Sequence, residues 1–587
     1  MPMKKINLLK PSILLLILFS LSSSCKQEKV STDIQDELVV RLESSPVTMS
    51  PILSKIARDG EVNEFMFVSL GDHDPLSLEL IPVLVREIPR AEKIEKGKYA
   101  GGDAFTLQMK EGASWNDGSP ITGRDVLFTY KMAAHPDVLT PDWKNLLEDI
   151  YDVKVDEQDP SKFTILTSGR YFLNLEAILS AEIYPQYLYE GSSAIDAISL
   201  NDLKEITSQE LEAQQPNISQ LGKDFSSAKY SKEVVEGAGP YELSEWSPDE
   251  YIVLSKKRNF WGDKYPNNLY LQGHFDKIVF QIIPDETVAL TLLKNDEIDV
   301  LRLSKSPFVV FKGLRDASDD DIETYSSNSV YNNMILLNNQ GKILKDRKVR
   351  EALVAITDVD RIMNQLEGGT GIRINSIINP NKPAYKKSLA MAAYDLEKAR
   401  AILDDAGWKD TNGDQIRDKI VDGVKEELSL EFLITASSTS EGISSVLVQS
   451  AKEVGVEIKP LIKKFSEIQN EYLRTGNYDL SVMRRGSSIS SDDPYSAWHS
   501  SRIGIEGLNY VGYSNPLADK EMEKIQELNI TQSERMKAYH DLQNIMAADF
   551  PVIFLYSPQG KYAIDDDIEP LISFKRPGIF VNAFKMK

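Results

Sequence analysis

Cysteine is almost missing from this chain of 587 residues, which contains only Cys25. A single thiol cannot form an intramolecular disulfide, and it cannot supply the clustered thiolates of a structural metal site. The stability of the fold must therefore come from core packing. A chain of this length is long enough for two or three domains with a large core.

Recognisable catalytic motifs are missing as well. The sequence has no Gly-x-Ser-x-Gly elbow, no His-Glu-x-x-His, no P-loop and no Gly-x-Gly-x-x-Gly that opens a helix. The five histidines are scattered, and none pairs with another at a metal-ligand spacing. We therefore expect no catalytic residue, no cofactor and no metal site, which argues against an enzyme.

Positive charge is in short supply. The chain has 67 Lys and Arg against 89 Asp and Glu, which gives a formal net charge of −22. A surface this acidic repels phosphate backbones, so nucleic acid is not an expected partner. Beyond the N-terminal segment the sequence has no apolar run of about 18 residues, so no other part is expected to span a membrane.

The N-terminus has the composition of an export signal. Lysines precede an apolar run at 13–19, and three serines at 22–24 lead into Cys25. A cysteine directly after such a site resembles a bacterial lipobox, although Ser22 stands where an aliphatic residue is usual. We predict a signal peptide at 1–24, acylation of Cys25 and a polar tether at 25–36. The alternative is an ordinary signal peptide that is cleaved elsewhere.

Hydrophobic patterning predicts an α/β fold. Strands are expected at 37–42, 104–110, 251–255 and 277–283, and a polar stretch at 200–235 predicts a surface helical insertion. A helix at 122–133 should begin with a capping box formed by Thr122 and Asp125. Past residue 340, longer amphipathic helices are expected at 346–366, 394–406, 440–454 and 516–546. Strands that alternate with helices are typical of α/β proteins.

Two acidic stretches could hold a metal, and each has a turn as its alternative. Residues 71–75 (Gly-Asp-His-Asp-Pro) have ordinary turn composition, which we prefer. Residues 410–418 place oxygen side chains at alternate positions, as a calcium loop does. Gln415 stands where such a loop has its glycine, however, and Val421 stands where it has its bidentate glutamate. A turn is again preferred, with calcium as the alternative.

Four stretches, taken in order, resemble one family. They are 105–131 (FTLQMKEGASWNDGSPITGRDVLFTYK), 237–262 (GAGPYELSEWSPDEYIVLSKKRNFWG), 275–300 (FDKIVFQIIPDETVALTLLKNDEIDV) and 337–360 (LNNQGKILKDRKVREALVAITDVD). Together they are similar to the extracytoplasmic solute-binding proteins of family 5, the oligopeptide- and dipeptide-binding class of ABC importers. Weaker similarity extends over nearly the whole chain after the tether.

The resemblance implies a two-lobed α/β clamshell, the class C or type II-like periplasmic-binding-protein fold, with an extra subdomain in the first lobe. Lobe I would cover 37–325, including a subdomain at about 71–180 and a helical insertion at about 190–235. Lobe II would cover 326–550, and residues 551–587 would return to lobe I. The lobes would be joined by a two-stranded hinge and would close on ligand.

The resemblance also implies where a ligand binds. A peptide would pair with backbone edges at Lys55, Ile56 and Ala57 in lobe I, and along the strand that leads into 484–498 in lobe II. Relatives usually hold the peptide α-amine with an aspartate, but the equivalent position here is Ser488 or Ser490. Either a nearby aspartate takes over, or the ligand has no free amine there. The expected lobe II contacts are Met334, Arg484, Arg485, Gly486, Ser487, Ser488, Ser490, Asp492, Asp493 and Trp498.

The function implied is that of a lipid-anchored, monomeric receptor that captures peptides and delivers them to an ABC permease in the inner membrane. It would face the periplasm or the cell exterior. Two alternatives stay open. The same fold could bind a non-peptide solute such as a glycan, an opine or a metal chelate, with Arg484 and Arg485 gripping a carboxylate. A lipoprotein hydrolase is the other alternative, and the missing catalytic motifs argue against it.

Overall fold

The computed structural model describes residues 36–54, 56–140, 143, 147–169, 171–314, 322–487, 489, 491–504, 507–528 and 530–587. The predicted signal peptide, Cys25 and nearly all of the tether lie outside these residues. Two large sheets form the centres of two lobes, and a smaller sheet belongs to the first lobe. No helix within the described ranges combines the length and apolar character needed to cross a bilayer.

The first large sheet is built on a buried strand. Glu37–Leu42 pairs in parallel with Lys277–Ile282 on one side and with Val300–Arg302 on the other, and Leu38 and Ile278 are fully buried. This confirms the predicted strand at 37–42. The seven strands follow the order Ile322–Asn328, Gln559–Asp565, Val300–Arg302, Glu37–Leu42, Lys277–Ile282, Tyr251–Lys256 and Tyr241–Ser247.

The second large sheet has six strands in the order Ile372–Arg373, Val552–Ser557, Tyr331–Leu337, Leu480–Gly486, Ser429–Ile434 and Glu457–Ile462. Its central strand, Tyr331–Leu337, is buried from Asn332 onwards because helices cover both faces of the sheet. Those helices are Arg347–Ala355, Val359–Glu367, Leu396–Asp405, Ser438–Lys452, Pro516–Gln526 and Gln532–Asp549.

The smaller sheet contains Ala91–Lys93, Asp103–Gln108, Lys162–Thr167 and Ile150–Val155. The helix Gly123–Ala134 packs near it and is capped by Thr122 and Asp125, which confirms the predicted capping box. The remaining elements before residue 322 are Pro51–Leu53, Ala57–Asn63, Gly71–His73, Leu80–Pro82, Asn174–Leu179, Gln186–Leu188, Trp261–Lys264, Leu269–Leu271, Glu286–Lys294 and Lys305–Leu314. Those after it are Asp418–Val421, Val424–Glu427, Phe465–Glu467, Ile468–Leu473, Tyr495–Trp498, Ser500–Arg502, Ile568–Glu569, Val581–Ala583 and Lys585–Met586.

The polar stretch at 200–235 is helical, as expected, but one face of it is buried in the protein core. It lies in a helical region made of Ser192–Ala197, Leu200–Glu205, Ser208–Gln214, Pro216–Phe225 and Lys229–Glu233. Its apolar side chains are buried in the core of the first lobe: Leu203, Leu211, Ile218, Leu221 and Phe225. The prediction of a surface insertion was therefore wrong for one face, since apolar residues at helical spacing pack inward.

The chain passes between the lobes twice. Ile322–Asn328 in the first sheet runs on into Tyr331–Leu337 in the second, and Val552–Ser557 in the second runs on into Gln559–Asp565 in the first. Each pair of strands is antiparallel, so two neighbouring strands form the connection. The crossings lie at 329–330 and at Pro558. These crossings lie near the boundaries expected at 325/326 and 550/551.

Candidate functional site

The candidate site lies where the central strands of the second sheet end at the hinge. Tyr331 pairs with Gly486 and Asn332 pairs with Arg485. The described residues that follow, 487, 489 and 491–494, are called the cleft loop. A cavity of about 290 Å³, the cleft cavity, opens beside this loop. It is lined from the first lobe by Tyr171 and Leu173, and from the second by Asn332, Ile377, Ile378, Arg485, Gly486, Ser487, Ser491, Asp492, Asp493, Pro494 and Trp498.

Asp492 is the buried carboxylate of this cavity. Its Oδ1 accepts from Lys382 Nζ at 2.7 Å, and the side chain of Lys382 is only 4% exposed. Its Oδ2 is also buried and has no hydrogen-bond partner in the described part of the chain. Burial raises the pKa of Asp492, and the positive charges of Lys382 and Arg485 oppose that shift. A buried acceptor of this kind favours a positively charged partner.

Asp493 lies beside Asp492 but is already engaged. Its two oxygens accept from Gln526 Nε2 at 3.1 and 2.9 Å, and Oδ1 also accepts from the backbone N–H of Tyr495 at 3.1 Å. These bonds hold the cleft loop against the helix Pro516–Gln526 and start the helix Tyr495–Trp498. Of the two candidate aspartates, the geometry therefore favours Asp492 as the one available to a ligand.

Arg484 and Arg485 do not act as a pair. Successive residues of a strand point to opposite faces, and these two lie against different rings. The guanidinium of Arg485 is 5.5 Å from the ring centre of Trp498, and burial lowers its pKa. Arg484 lies 5.9 Å from the ring centre of Tyr331 and donates from Nε to Asn333 Oδ1 at 3.2 Å. In this arrangement, one ligand carboxylate does not bind the guanidinium groups of both arginines.

The other predicted contacts fall into three groups. Gly486 and Ser487 line the cleft cavity, and Ser487 N–H donates to Val330 O at 2.9 Å, which ties the loop to the hinge. Met334 is buried in the second sheet and borders an apolar pocket. Ile56 is 43% exposed and Ala57 begins the helix Ala57–Asn63, and neither lines this cavity. Lys55, Ser488 and Ser490 lie outside the described residues.

The apolar pocket lies on the lobe II side of the cleft. It has a volume of about 290 Å³ and is bordered by Arg484, Arg485 and Gly486. Its other walls are apolar or aromatic: Met334, Leu336, Phe465, Met483, Ala497, Trp498, Leu508, Tyr510 and Val511, together with Gln469. Phe465 is 52% exposed, which is unusual for a ring of its size and leaves apolar area for a ligand side chain.

The first lobe contributes residues that the sequence did not reveal. Glu176 Oε2 accepts from the backbone N–H of Ser491 across the cleft at 3.3 Å, and His73 Nε2 lies 3.7 Å from the same oxygen. Phe172 lies under the guanidinium of Arg535 in the second lobe, 4.8 Å from it. The adjacent aromatic residues Tyr171 and Phe172 are a feature of the sequence that could have indicated this part of the site. Nothing in the spacing connects Lys382 with Asp492, 110 residues later.

Neither acidic stretch assembles a metal site within the described residues. Asp72 accepts from the backbone N–H of His73 at 2.7 Å through Oδ1 and pairs with Lys575 Nζ at 2.8 Å through Oδ2, so both of its oxygens are already engaged. In 410–418, Asp410 accepts from the N–H groups of Gly413 and Gln415, and Asp418 accepts from Thr411 and pairs with Lys425. These bonds are those of a turn. Among the described residues, the acidic groups that come within metal-ligand distance of one another are the half-buried Asp565 and the exposed Asp566 and Asp567.

Comparison with known proteins matches this chain to extracellular solute-binding proteins. The family model described as "Bacterial extracellular solute-binding proteins, family 5 Middle" matches residues 94–505. The oligopeptide-binding protein AppA of Bacillus subtilis is 26% identical over 562 residues, which cover 94% of this chain and 91% of AppA. The nickel-binding periplasmic protein of Escherichia coli is 24% identical over 313 residues, covering 52% of this chain and 56% of that protein.

Solved structures show the same fold. AppA in complex with a nonapeptide matches with a TM-score of 0.64 at 24% identity, covering 94% of this chain and 99% of AppA. NikZ from Campylobacter jejuni in complex with Ni(L-His) matches with a TM-score of 0.65 at 21% identity, and HbpA2 from Haemophilus parasuis with 0.72 at 17%. Each covers 94% of this chain, and 99% and 100% of the respective neighbour. The two-lobed clamshell expected from the sequence is therefore confirmed.

Proposed function

Because the chain belongs to family 5 of the bacterial extracellular solute-binding proteins, we propose that it captures peptides between its two lobes and delivers them to an ABC permease. Family membership makes the chain a substrate-binding component of transport and not an enzyme. What we propose beyond this role is that the ligand is a peptide, that the partner is an ABC permease and that a lipid anchors the protein.

The observation that carries the peptide proposal is the buried, unpartnered Oδ2 of Asp492, a residue that lines the cleft cavity. An α-ammonium group placed there would complete the hydrogen bonding of a buried carboxylate, and bonds between charged groups are about twice as strong as neutral ones. The adjoining apolar pocket supplies area for a side chain. The strands Tyr331–Leu337 and Leu480–Gly486 both have an end at this cleft, where Tyr331 pairs with Gly486. An extended ligand bound there would contact polar and apolar groups of the protein together.

Contacts between residues of the two lobes support the proposal that the lobes close on a ligand. Glu176 already accepts a hydrogen bond from Ser491, and Lys305 donates from Nζ to the carbonyl of Asn364 at 3.2 Å. A ligand that contacts both lobes stabilises the closed arrangement by its differential affinity for that state. Tyr171 and Leu173 on one side and Asp492 on the other are the groups that such a ligand would bridge.

A non-peptide solute is the second candidate, and Lys382 favours it. Lys382 already neutralises one oxygen of Asp492, so a ligand without an amine leaves no charge unpaired. Ligand released from the protein purified from its native cell, and analysed by mass spectrometry, separates the two candidates. Peptides with free N-termini support the proposal. A chelate or glycan recovered in their place overturns it.

The lipid anchor rests on Cys25, which follows the export signal. An acyl chain contributes about 0.8 kcal/mol per buried methylene, so Cys25→Ser should release the protein from membranes. Fractionation of cells that express the wild-type and Cys25→Ser proteins measures this, with Ser24→Ala as the matched control. Membrane association that persists in the Cys25→Ser protein contradicts the anchor, as does a mature N-terminus upstream of Cys25.

A further inference from the structure

One short segment of the first lobe contacts the second lobe at more than one point. This segment, 171–176, is called the latch segment. Tyr171 and Leu173 line the cleft cavity, whereas Phe172 and Glu176 contact residues of the second lobe directly. The contacts of Phe172 and Glu176 join protein to protein, so they do not depend on which solute the cleft holds.

Phe172 places an aromatic ring of the first lobe against the second lobe. The centre of the ring lies 4.8 Å from the guanidinium carbon of Arg535, which is within the range of a cation–π contact. The ring also packs against the apolar cluster of the second lobe that includes Tyr539 and Leu542. Separation of the lobes would return this apolar area to water, so the contact favours the closed arrangement.

The second lobe holds Arg535 in place without help from the first lobe. Its Nη2 donates to Glu527 O at 2.8 Å, and its Nη1 donates to Ile525 O. Both carbonyls lie at the end of the helix Pro516–Gln526, where a basic side chain satisfies groups that the helix itself leaves unpaired. Because these bonds lie within one lobe, the surface that receives Phe172 is formed before the lobes meet.

Glu176 forms the second contact, four residues further along the chain. Its Oε2 accepts from the backbone N–H of Ser491, in the cleft loop, at 3.3 Å. On its own lobe, Glu176 is carried by the helix Asn174–Leu179, and His73 Nε2 lies 3.7 Å from the same oxygen. Together with the ring contact, this bond ties the latch segment to two parts of the second lobe, the cleft loop and the helix Gln532–Asp549.

We propose that the latch segment holds the lobes together whether or not the cleft is occupied, so that the unliganded protein is closed for part of the time. The inference rests on the proposed function in one respect, since it takes lobe closure as the act of capture. The apparent dissociation constant is the intrinsic one divided by the fraction of protein that is already closed. Phe172 and Glu176 therefore raise the affinity for a ligand and slow its release without contacting it.

The first experiment contains no ligand. The protein is freed of bound solute by unfolding in guanidinium chloride and refolding, and its radius of gyration is measured by small-angle scattering. We expect Phe172→Ala and Glu176→Ala each to increase the radius of gyration of the unliganded protein, because both remove contacts made only in the closed form. Tyr99→Ala, which removes a stacked ring pair within the first lobe, is the matched control and should leave it unchanged.

A pair of substitutions tests whether Phe172 and Arg535 act on each other. Arg535→Gln should open the unliganded protein, but it should add little in the Phe172→Ala background, since both changes delete one contact. Phe172→Leu keeps apolar volume and loses the ring, so it should have an intermediate effect. Melting temperatures show whether each variant is folded. Phe172→Leu and Glu176→Ala leave the bonds of Arg535 in place, so the test does not depend on the folding of Arg535→Gln.

Ligand release gives an independent measurement. The probe is a synthetic peptide with free termini, selected from a random mixture by native mass spectrometry of its complex with the wild-type protein. Its dissociation is followed by stopped-flow tryptophan fluorescence, since Trp498 lines the cleft cavity. We expect Phe172→Ala to release the peptide about five- to thirtyfold faster, as loss of a cation–π contact shielded from water implies. The association rate should change less, because the latch forms after the ligand enters.

The outcomes separate the latch from the peptide function. Larger radii of gyration in Phe172→Ala and Glu176→Ala, with Tyr99→Ala unchanged, support the latch. The wild-type radius in both latch variants overturns it, and so does an equal increase in Tyr99→Ala. Lowered melting temperatures without any opening assign the two residues a purely structural role, which also contradicts the proposal. If no peptide of the mixture binds the wild-type protein, the peptide function fails, and the ligand-free comparison still decides the latch.

Discussion

Asp492 and Asp493 are neighbours in the cleft loop, but their carboxylates have different surroundings. Both oxygens of Asp493 accept hydrogen bonds from Gln526, whereas Oδ2 of Asp492 has no partner in the described chain. A ligand ammonium could therefore bind this oxygen without displacing a protein hydrogen bond, once opening of the cleft exposes it. Composition alone could not separate two adjacent aspartates, since their difference comes from residues that are distant in sequence.

We expect Asp492→Asn to weaken the binding of free-amine peptides by about 2–5 kcal/mol, because it breaks a buried charge pair. N-acetylation of the peptide removes the same interaction, so the two losses should not add. Titration calorimetry with both peptides and both proteins measures this. Asp493→Asn is the matched control and should leave peptide affinity nearly unchanged. Full affinity of Asp492→Asn for free-amine peptides would show that the amine is held elsewhere.

A pH dependence follows from two acidic residues of the first lobe. Burial raises the pKa of Glu64 to about 8 and that of Glu182 to about 7. The folded protein therefore retains protons that the unfolded chain releases above a pH of about 4.5, the ordinary value for glutamate. Since the folded state binds more protons in this range, the free energy of unfolding should fall as the pH rises from about 5 to 8.

Urea unfolding at several pH values checks this, with Glu64→Gln as the test variant. The variant cannot ionise at this position, so its stability should decline less with pH than that of the wild-type protein. Glu79→Gln, at an exposed position, is the control. The same pH slope in the wild-type and Glu64→Gln proteins would contradict the assignment.

At the scale of elements, two long helices expected from the sequence are each broken. The segment 346–366 forms Arg347–Ala355 and Val359–Glu367, because Asp358 caps the second helix by accepting from Arg361 N–H. The segment 516–546 forms Pro516–Gln526 and Gln532–Asp549, where Thr531 and Glu534 form a capping box. The amphipathic pattern continues across both breaks, so periodicity did not reveal them.

The capping box at Thr531 supports a direct test. Thr531→Ala removes the acceptor for Glu534 N–H and should lower the free energy of unfolding by about 1 kcal/mol. Urea denaturation measures this difference. Thr291→Ala, at an exposed position within the helix Glu286–Lys294, should change stability by less than about 0.5 kcal/mol. Equal effects of the two substitutions would show that the cap contributes little.

The features that the sequence predicted correctly are those that depend on residues close together in the chain. The strand Glu37–Leu42 and the Thr122 cap depend on neighbouring residues, and both were found. The cleft loop was found through family resemblance, which fixed Arg485 and Asp492 near the cavity. Lys382 and Glu176 were missed because tertiary packing brings them to the loop, and no spacing rule predicts such a contact.

At the scale of the whole molecule, two lobes joined by two strands should move as bodies. A peptide that bridges the cleft should shift the population toward the closed form, reduce the radius of gyration and raise the melting temperature with concentration. Small-angle scattering with and without the co-purified ligand measures the compaction. Asp492→Asn at the same ligand concentration is the control and should compact less. An unchanged radius of gyration at saturation would contradict lobe closure.

The ion pair between Lys561 and Glu367 has a consequence for the way in which the lobes can move. Lys561 lies three residues beyond the crossing at Pro558, Glu367 ends a helix of the other lobe, and Tyr556 donates to the same carboxylate. Breaking a buried pair of this kind is costly, so low-energy motions are those that keep it intact. Sliding or separation of the lobes would pull the pair apart, whereas rotation about it would not. The pair, together with the two neighbouring chain crossings, therefore favours rotation of the lobes over translation. An unliganded protein restricted in this way would open and close by rotation, and a ligand that bridges the lobes would bias that rotation.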